Sequence, residues 1–206
     1  MSVFVKICGL ANEEDLRGVA ALRPDAVGFV FWERSPRFVT AEAVASWRAL
    51  VPAGVLKVGV FVDAPAEEMQ RAVRTAGLDV IQLHGFQGLE KPCVKVSKVW
   101  KVVHLGRTPI PSVAGAAAVD AFLVDRYSAE SPGGTGRTVD WSRAREFVER
   151  CGKPVLLAGG LTPDNVAEAI RRVRPWGVDV SSGVESRPGR KDLERVRRFI
   201  EQCRRG

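Results

Sequence analysis

Short runs of apolar, often β-branched residues alternate along the chain with longer segments in which apolar positions recur every three or four residues. The short runs predict β-strands, and the longer segments predict amphipathic helices. The short runs lack a strict alternation of polar and apolar positions, which indicates strands buried on both faces, as in a parallel sheet. We predict eight strands, at 3–8, 25–31, 55–62, 79–84, 98–104, 120–125, 154–158 and 177–180.

A helix, or a segment long enough for one, follows each predicted strand, and we predict the last two helices over 163–173 and 189–203. The segments 86–96 and 106–118 have weak helical patterns and contain prolines, so we expect the fourth and fifth helices to be short. Eight such repeats in about 200 residues predict an α/β fold, a single-domain (β/α)8 TIM barrel over residues 1–206. An open, doubly wound sheet is the alternative, but no GxGxxG sequence follows the first strand and no linker divides the chain.

The last two predicted strands end in small and hydroxyl-bearing residues. Gly159 and Gly160 follow the seventh strand, and Ser181, Ser182 and Gly183 follow the eighth. Bare backbone N–H groups near a helix N-terminus bind anions, and the loops after strands seven and eight of a TIM barrel often hold phosphate. The sequence therefore predicts a phosphate site here, with ordinary tight turns as the alternative.

Polar side chains at the carboxyl ends of barrel strands face one shared pocket. Cys8 ends the first strand and Asp125 ends the sixth. A thiolate can act as a general base and a protonated carboxylic acid as a general acid, so this pair would suit proton transfer. The pattern alone leaves open a buried apolar role for Cys8 and a capping or ion-pairing role for Asp125. For His84, a hydrogen bond at the strand end is favoured over a catalytic role.

Composition narrows the class of protein. The chain is 46% hydrophobic and 27% charged, which is typical of a globular protein, and its net charge is +7. The basic residues are interspersed with acidic ones on the predicted helices, which favours solvated helix faces over a nucleic-acid partner. Four cysteines without a CxxC pair and two histidines away from ligand spacing argue against a metal site.

No signal peptide is evident at Met1, and no apolar run reaches about 18 residues. We therefore expect a cytoplasmic protein with reduced thiols and no membrane partner. The sequence leaves a monomer and a homodimer open.

Six motifs, in order along nearly the whole chain, resemble the phosphoribosylanthranilate isomerase family of tryptophan biosynthesis. The first and last are the most specific, and residues 86–118 match no motif. The motifs are Lys6–Gly9 (KICG), Gly28–Phe31 (GFVF) with Ser35–Arg37 (SPR), Gln82–Gly85 (QLHG), Gly133–Gly136 (GGTG), Gly159–Gly160, and Val178–Glu185 (VDVSSGVE).

The resemblance implies an Amadori rearrangement of N-(5-phosphoribosyl)anthranilate to the matching 1-deoxyribulose ketoamine, without metal or cofactor. It implies that Cys8 is the general base, that Asp125 is the general acid, and that Arg37 pairs with the anthranilate carboxylate. It marks Asp179 for a role in the site or in the structure, and it makes the glycine-rich loop 126–139 a lid. It assigns the phosphate to Gly159, Gly160, Ser181, Ser182 and Gly183.

Two alternatives remain at this point. One is a sister barrel, the phosphoribosyl sugar isomerase of histidine biosynthesis, which would be expected to use a pair of carboxylates in place of Cys8. The other is a non-catalytic barrel that binds a phosphate ligand, which the presence of both Cys8 and Asp125 argues against.

Overall fold

The structure is a computed structural model that describes residues 3–85, 93–106, 113, 116–126 and 139–205. Eight parallel strands close into a barrel in chain order, and the last strand pairs with the first. The predicted parallel (β/α)8 barrel is thus confirmed. The strands are β1 (Phe4–Ile7), β2 (Ala26–Val30), β3 (Leu56–Val62), β4 (Val80–His84), β5 (Lys98–Leu105), β6 (Ala121–Arg126), β7 (Val155–Leu157) and β8 (Gly177–Val180).

The helices begin where the sequence supplies hydrogen-bonding caps. Asn12 accepts a hydrogen bond from the Asp15 N–H at the start of α1, Thr40 does the same at α2, and Asp140 at α4. Such caps satisfy N–H groups that lack partners within the helix. The described helices are α1 (Glu13–Ala21), α2 (Ala41–Trp47), α3 (Ala66–Ala76), α4 (Trp141–Cys151), α5 (Val166–Val173) and α6 (Leu193–Arg205).

Two boundaries near the end of the chain differ from the prediction. The helix predicted from Pro163 begins later, at Val166, because residues 163–165 form turns. The helix predicted from Gly189 begins at Leu193, because a hairpin of β9 (Glu185–Arg187) and β10 (Arg190–Lys191) precedes it. The predicted short fourth and fifth helices and the predicted lid fall largely outside the described residues and stay predictions.

The barrel interior has an apolar end and a polar end. Toward the amino ends of the strands it is filled by alternate strand residues such as Val58, Leu123 and Leu156, together with the fully buried Trp100. Phe4 packs edge-on against the Trp100 ring. Toward the carboxyl ends, the interior also contains buried polar side chains, so the titratable groups of the barrel interior lie at that end. These polar side chains are Lys6, Gln82, His84, Asp125 and Asp179.

Candidate active site

All nine predicted site residues line one pocket at the carboxyl ends of the strands. The pocket has an empty volume of ≈ 800 Å³, part of it open to solvent. The barrel topology brings together strand ends that are far apart in sequence. The nine residues are Cys8, Arg37, Asp125, Gly159, Gly160, Asp179, Ser181, Ser182 and Gly183.

Cys8 follows β1 and is buried beside a charged pair. The Lys6 side chain, on the same face of the strand, is fully buried, and its Nζ donates to Asp179 Oδ1 at 2.8 Å. Burial raises the pKa of the Cys8 thiol, and the positive charge of Lys6 partly offsets this. Lys6 was not identified from the sequence, although its place two residues before Cys8 puts both side chains on one face of a strand.

Asp125, at the end of β6, is also buried. Its Oδ1 accepts a hydrogen bond from the Arg126 N–H at 2.7 Å. Burial raises the pKa of the Asp125 carboxyl, and the hydrogen bond from Arg126 partly opposes this increase. The environment therefore favours the protonated acid more than water does.

Another titratable side chain that lines the pocket, His84, is held neutral. Burial, together with the charges of His104 and Lys6, lowers its pKa to about 3. Its Nε2 lies 3.2 Å from Gln82 Nε2, so the predicted strand-end hydrogen bond is present, with a direction that depends on the tautomer. His84 Nδ1 and Gln82 Oε1 are buried without a hydrogen-bond partner among the described residues. A neutral imidazole is not a proton donor of useful strength near pH 7.

Arg37 is held by a carboxylate that was not identified from the sequence. Its Nε donates to Glu185 Oε1 at 2.8 Å and its Nη2 to Glu185 Oε2 at 2.6 Å. The buried Lys191 Nζ donates to the same Oε1 at 2.9 Å and to the Ser181 carbonyl at 3.2 Å. One edge of the guanidinium is thus occupied, and a ligand carboxylate has to approach the Nη1 side. The available signal was that Glu185 is the last residue of the motif 178–185.

The backbone conformation of the loop after β7 requires glycine at two positions. Gly159 and Gly160 have φ of 79° and 74°, in the left-handed region where side chains are disfavoured. A Cβ on Gly159 would lie 2.8 Å from Asp125 Oδ1. Asn165 fixes this loop, because its side chain accepts from the Thr162 N–H at 2.8 Å and donates to the Gly160 carbonyl at 3.0 Å. The loop therefore lines the pocket with backbone at these two positions.

Comparison with known proteins shows the family of this chain. Residues 5–202 match the model of the N-(5'phosphoribosyl)anthranilate (PRA) isomerase family. The chain belongs to this family. It is 44% identical to the N-(5'-phosphoribosyl)anthranilate isomerase of Thiobacillus denitrificans, over 99% of both chains. The predicted family, the enzyme class and the isomerase function in tryptophan biosynthesis are therefore confirmed.

Solved structures of the family share the barrel. The phosphoribosyl anthranilate isomerase of Thermus thermophilus is similar with a TM-score of 0.86 and 34% identity, over 96% of both chains. Another was solved in complex with reduced 1-(o-carboxyphenylamino)-1-deoxyribulose 5-phosphate and has a TM-score of 0.79 and 34% identity, over 98% of both chains. Within the described residues, no helix combines the length and apolar character needed to cross a membrane.

Proposed function

We propose that this chain rearranges N-(5'-phosphoribosyl)anthranilate by general acid–base catalysis, with Asp125 as the acid and Cys8 as the base. The observation that carries the proposal is the placement of a buried carboxyl and a buried thiol in one pocket, on β6 and after β1. Burial favours the protonated form of Asp125, which is the form that an acid needs.

The reaction proceeds in three steps. Asp125 gives its proton to the furanose ring oxygen as the bond from C1′ to that oxygen breaks, and the anthranilate nitrogen supplies the electron pair that forms a protonated imine. The Cys8 thiolate then removes the proton from C2′, and the electrons of that bond neutralise the imine nitrogen and leave an enolamine. The enolamine gains a proton at C1′ and loses one from the C2′ hydroxyl, which gives the ketone. The imine is itself the electron sink.

The other predicted residues would bind the two ends of the substrate. The anthranilate carboxylate would meet the Nη1 side of Arg37, whose other edge Glu185 holds in a fixed orientation. The phosphate would lie against Gly159 and Gly160 and against the turn formed by Ser181, Ser182 and Gly183. The Ser181 Oγ is buried without a partner among the described residues, which supports a ligand contact there.

The test separates the acid from the base. We expect Cys8→Ala and Asp125→Asn each to lower kcat at least ~10²-fold, because each loses one proton-transfer group. Both should bind the reduced product analogue about as tightly as the parent protein. Turnover is followed by the decay of substrate fluorescence.

Cys151→Ala is the matched control, because Cys151 is a buried thiol on α4 that does not line the pocket. It should keep normal turnover. Near-normal kcat in Cys8→Ala would contradict the assignment of the base, and near-normal kcat in Asp125→Asn would contradict that of the acid.

Location and assembly stay predictions. The four cysteines are free, which supports a reducing compartment such as the cytoplasm. A homodimer would be tested by the sedimentation of the purified protein at micromolar concentration.

A further inference from the structure

A buried ion pair lies at the floor of the pocket, directly below Cys8. The Lys6 side chain has 0% exposure and the Asp179 side chain 9%, and their charged atoms are 2.8 Å apart. The two residues are register partners across the β1–β8 seam, where the barrel closes. The pair is therefore fixed by the backbone of two strands.

A pair of this kind is poorly explained by stability alone. Removing two charges from water costs several kcal/mol per ion, and well-packed apolar residues of similar volume are often as stable or more so. The barrel interior toward the amino ends of the strands is apolar, with Val58, Leu123 and Leu156 in it. A charged pair beside them indicates a use for the charge.

The ammonium of Lys6 acts on the thiol at close range. A Cβ placed on Gly28, on the neighbouring strand β2, would lie 2.7 Å from Cys8 Sγ and 3.2 Å from Lys6 Cε. The thiol and the lysine stem thus converge on the same space, which only a glycine leaves open. The positive charge of Lys6 lowers the pKa of the Cys8 thiol and so partly offsets the effect of burial.

We propose that Lys6 and Asp179 act on Cys8 with opposite effects. The ammonium of Lys6 stabilises the thiolate. The carboxylate of Asp179 holds the ammonium in place and reduces its effect on the thiol. This rests on the proposed role of Cys8 as the base. Lys6 and Asp179 are then positioning residues, which set how much thiolate is present and how strongly it attracts the proton from C2′.

Other charged or titratable groups face the thiol from neighbouring elements. Lys191, on β10, favours the thiolate, but Glu185 shares its charge. Arg37, in the loop after β2, is bound to the same carboxylate. His84 on β4 is neutral, and burial favours the protonated form of Asp125 on β6. Among these groups, Lys6 most strongly opposes the increase in the pKa of the thiol that burial causes.

The direct test is the rate of alkylation of Cys8 by iodoacetamide as a function of pH, followed by mass spectrometry of the peptide that contains Cys8. Iodoacetamide reacts with the thiolate, so the midpoint of the pH profile reports the apparent pKa. We expect Lys6→Met to move the midpoint up by about one pH unit or more and Asp179→Asn to move it down. Movements in opposite directions are a signature that general loosening of the site cannot produce.

A second ion pair on the same barrel provides a matched control. Lys57 and Asp79, near the start of β3 and just before β4, are also 2.8 Å apart, but neither lines the pocket. Lys57→Met should leave the midpoint of Cys8 unchanged. If it moves the midpoint as far as Lys6→Met does, or if neither Lys6→Met nor Asp179→Asn moves it, the proposal is wrong.

The variant Lys6→Met leaves the Asp179 carboxylate buried and unpaired, which threatens folding. The double variant Lys6→Met/Asp179→Asn avoids this. Its midpoint should lie above that of Asp179→Asn alone, because only the single variant keeps the ammonium. Equal midpoints in these two proteins would overturn the role of Lys6.

Kinetics gives a second readout. In Lys6→Met, kcat at pH 7 should fall by up to about tenfold for each pH unit by which the midpoint rises, because less thiolate is present, while KM changes little. The alkylation midpoint is measured without substrate and so does not depend on the assignment of the base. Normal turnover in Cys8→Ala would refute the base while leaving the charge effect intact. Fixed midpoints with an inactive Cys8→Ala would refute only the present proposal.

Discussion

Acidification should destabilise this barrel through one buried imidazole, that of His84. Burial lowers its pKa from 6.5 to about 3 in the folded protein. Between pH 6.5 and about pH 3, the unfolded chain therefore binds a proton at His84 that the folded protein does not bind. The contribution of His84 to the free energy of unfolding is fully present above pH 6.5 and is lost progressively as the pH falls from 6.5 toward 3. A difference of about 3.5 between the two pKa values corresponds to about 5 kcal/mol over the whole range.

The measurement is urea unfolding at pH 8, 7, 6 and 5 for the parent protein and for His84→Gln, which cannot take up the proton. Between pH 7 and pH 5 the parent should lose about 2 kcal/mol more than the variant. Titration of Asp125 occurs in both proteins and cancels in the difference. The comparison at pH 8, where the imidazole is neutral in both states, measures the packing cost of the substitution and serves as the internal control.

Parallel stability curves for the two proteins would refute this reasoning. They would show that His84 accepts a proton in the folded protein as readily as in the unfolded chain. The result also bears on catalysis, because an imidazole that titrates near its ordinary pKa would compete with Asp125 for the role of the acid. A difference of the expected size excludes His84 as a proton donor at neutral pH.

Two further substitutions test the substrate site. Arg37→Ala should weaken binding of the reduced product analogue by about 2–3 kcal/mol, and binding of ribose 5-phosphate much less, because a charge-assisted pair to the anthranilate carboxylate is lost. Equal losses for both ligands in titration calorimetry would mean that Arg37 does not bind that carboxylate. Gly28→Ala should lower kcat and cost about 1–3 kcal/mol in urea unfolding, because its Cβ would press on the Cys8 thiol. Unchanged kcat would show that the thiol has room to move.

The fold could be predicted from the sequence because strand burial leaves a local pattern. Runs such as 55–62 are apolar on both faces, and a strand with that pattern fits only a sheet that is covered on both sides. The repeat of strand and helix then fixes where the strands end. That is why Cys8, Asp125 and the loop glycines could be assigned to one pocket from their positions after predicted strands.

The charged partners inside the pocket could not be predicted in the same way. Lys6 and Asp179 are 173 positions apart, and Arg37 and Glu185 are 148 apart. Nothing local to either member of a pair shows that barrel closure brings them together. The hairpin that carries Glu185 was also missed, because its strands are three and two residues long, too short to give a periodic signal.

We infer that a ligand contacts the part of the pocket where buried polar atoms lack hydrogen-bond partners. A buried donor or acceptor left unpaired costs about 1–3 kcal/mol, so a folded chain carries few of them without a reason. Three of those among the described residues, Gln82 Oε1, His84 Nδ1 and Ser181 Oγ, belong to residues that line this pocket. In contrast, the charges of Lys6, Arg37 and Lys191 each have a carboxylate within 3 Å. The charges are therefore paired with carboxylates before substrate arrives, and we expect the substrate to contact the neutral polar atoms.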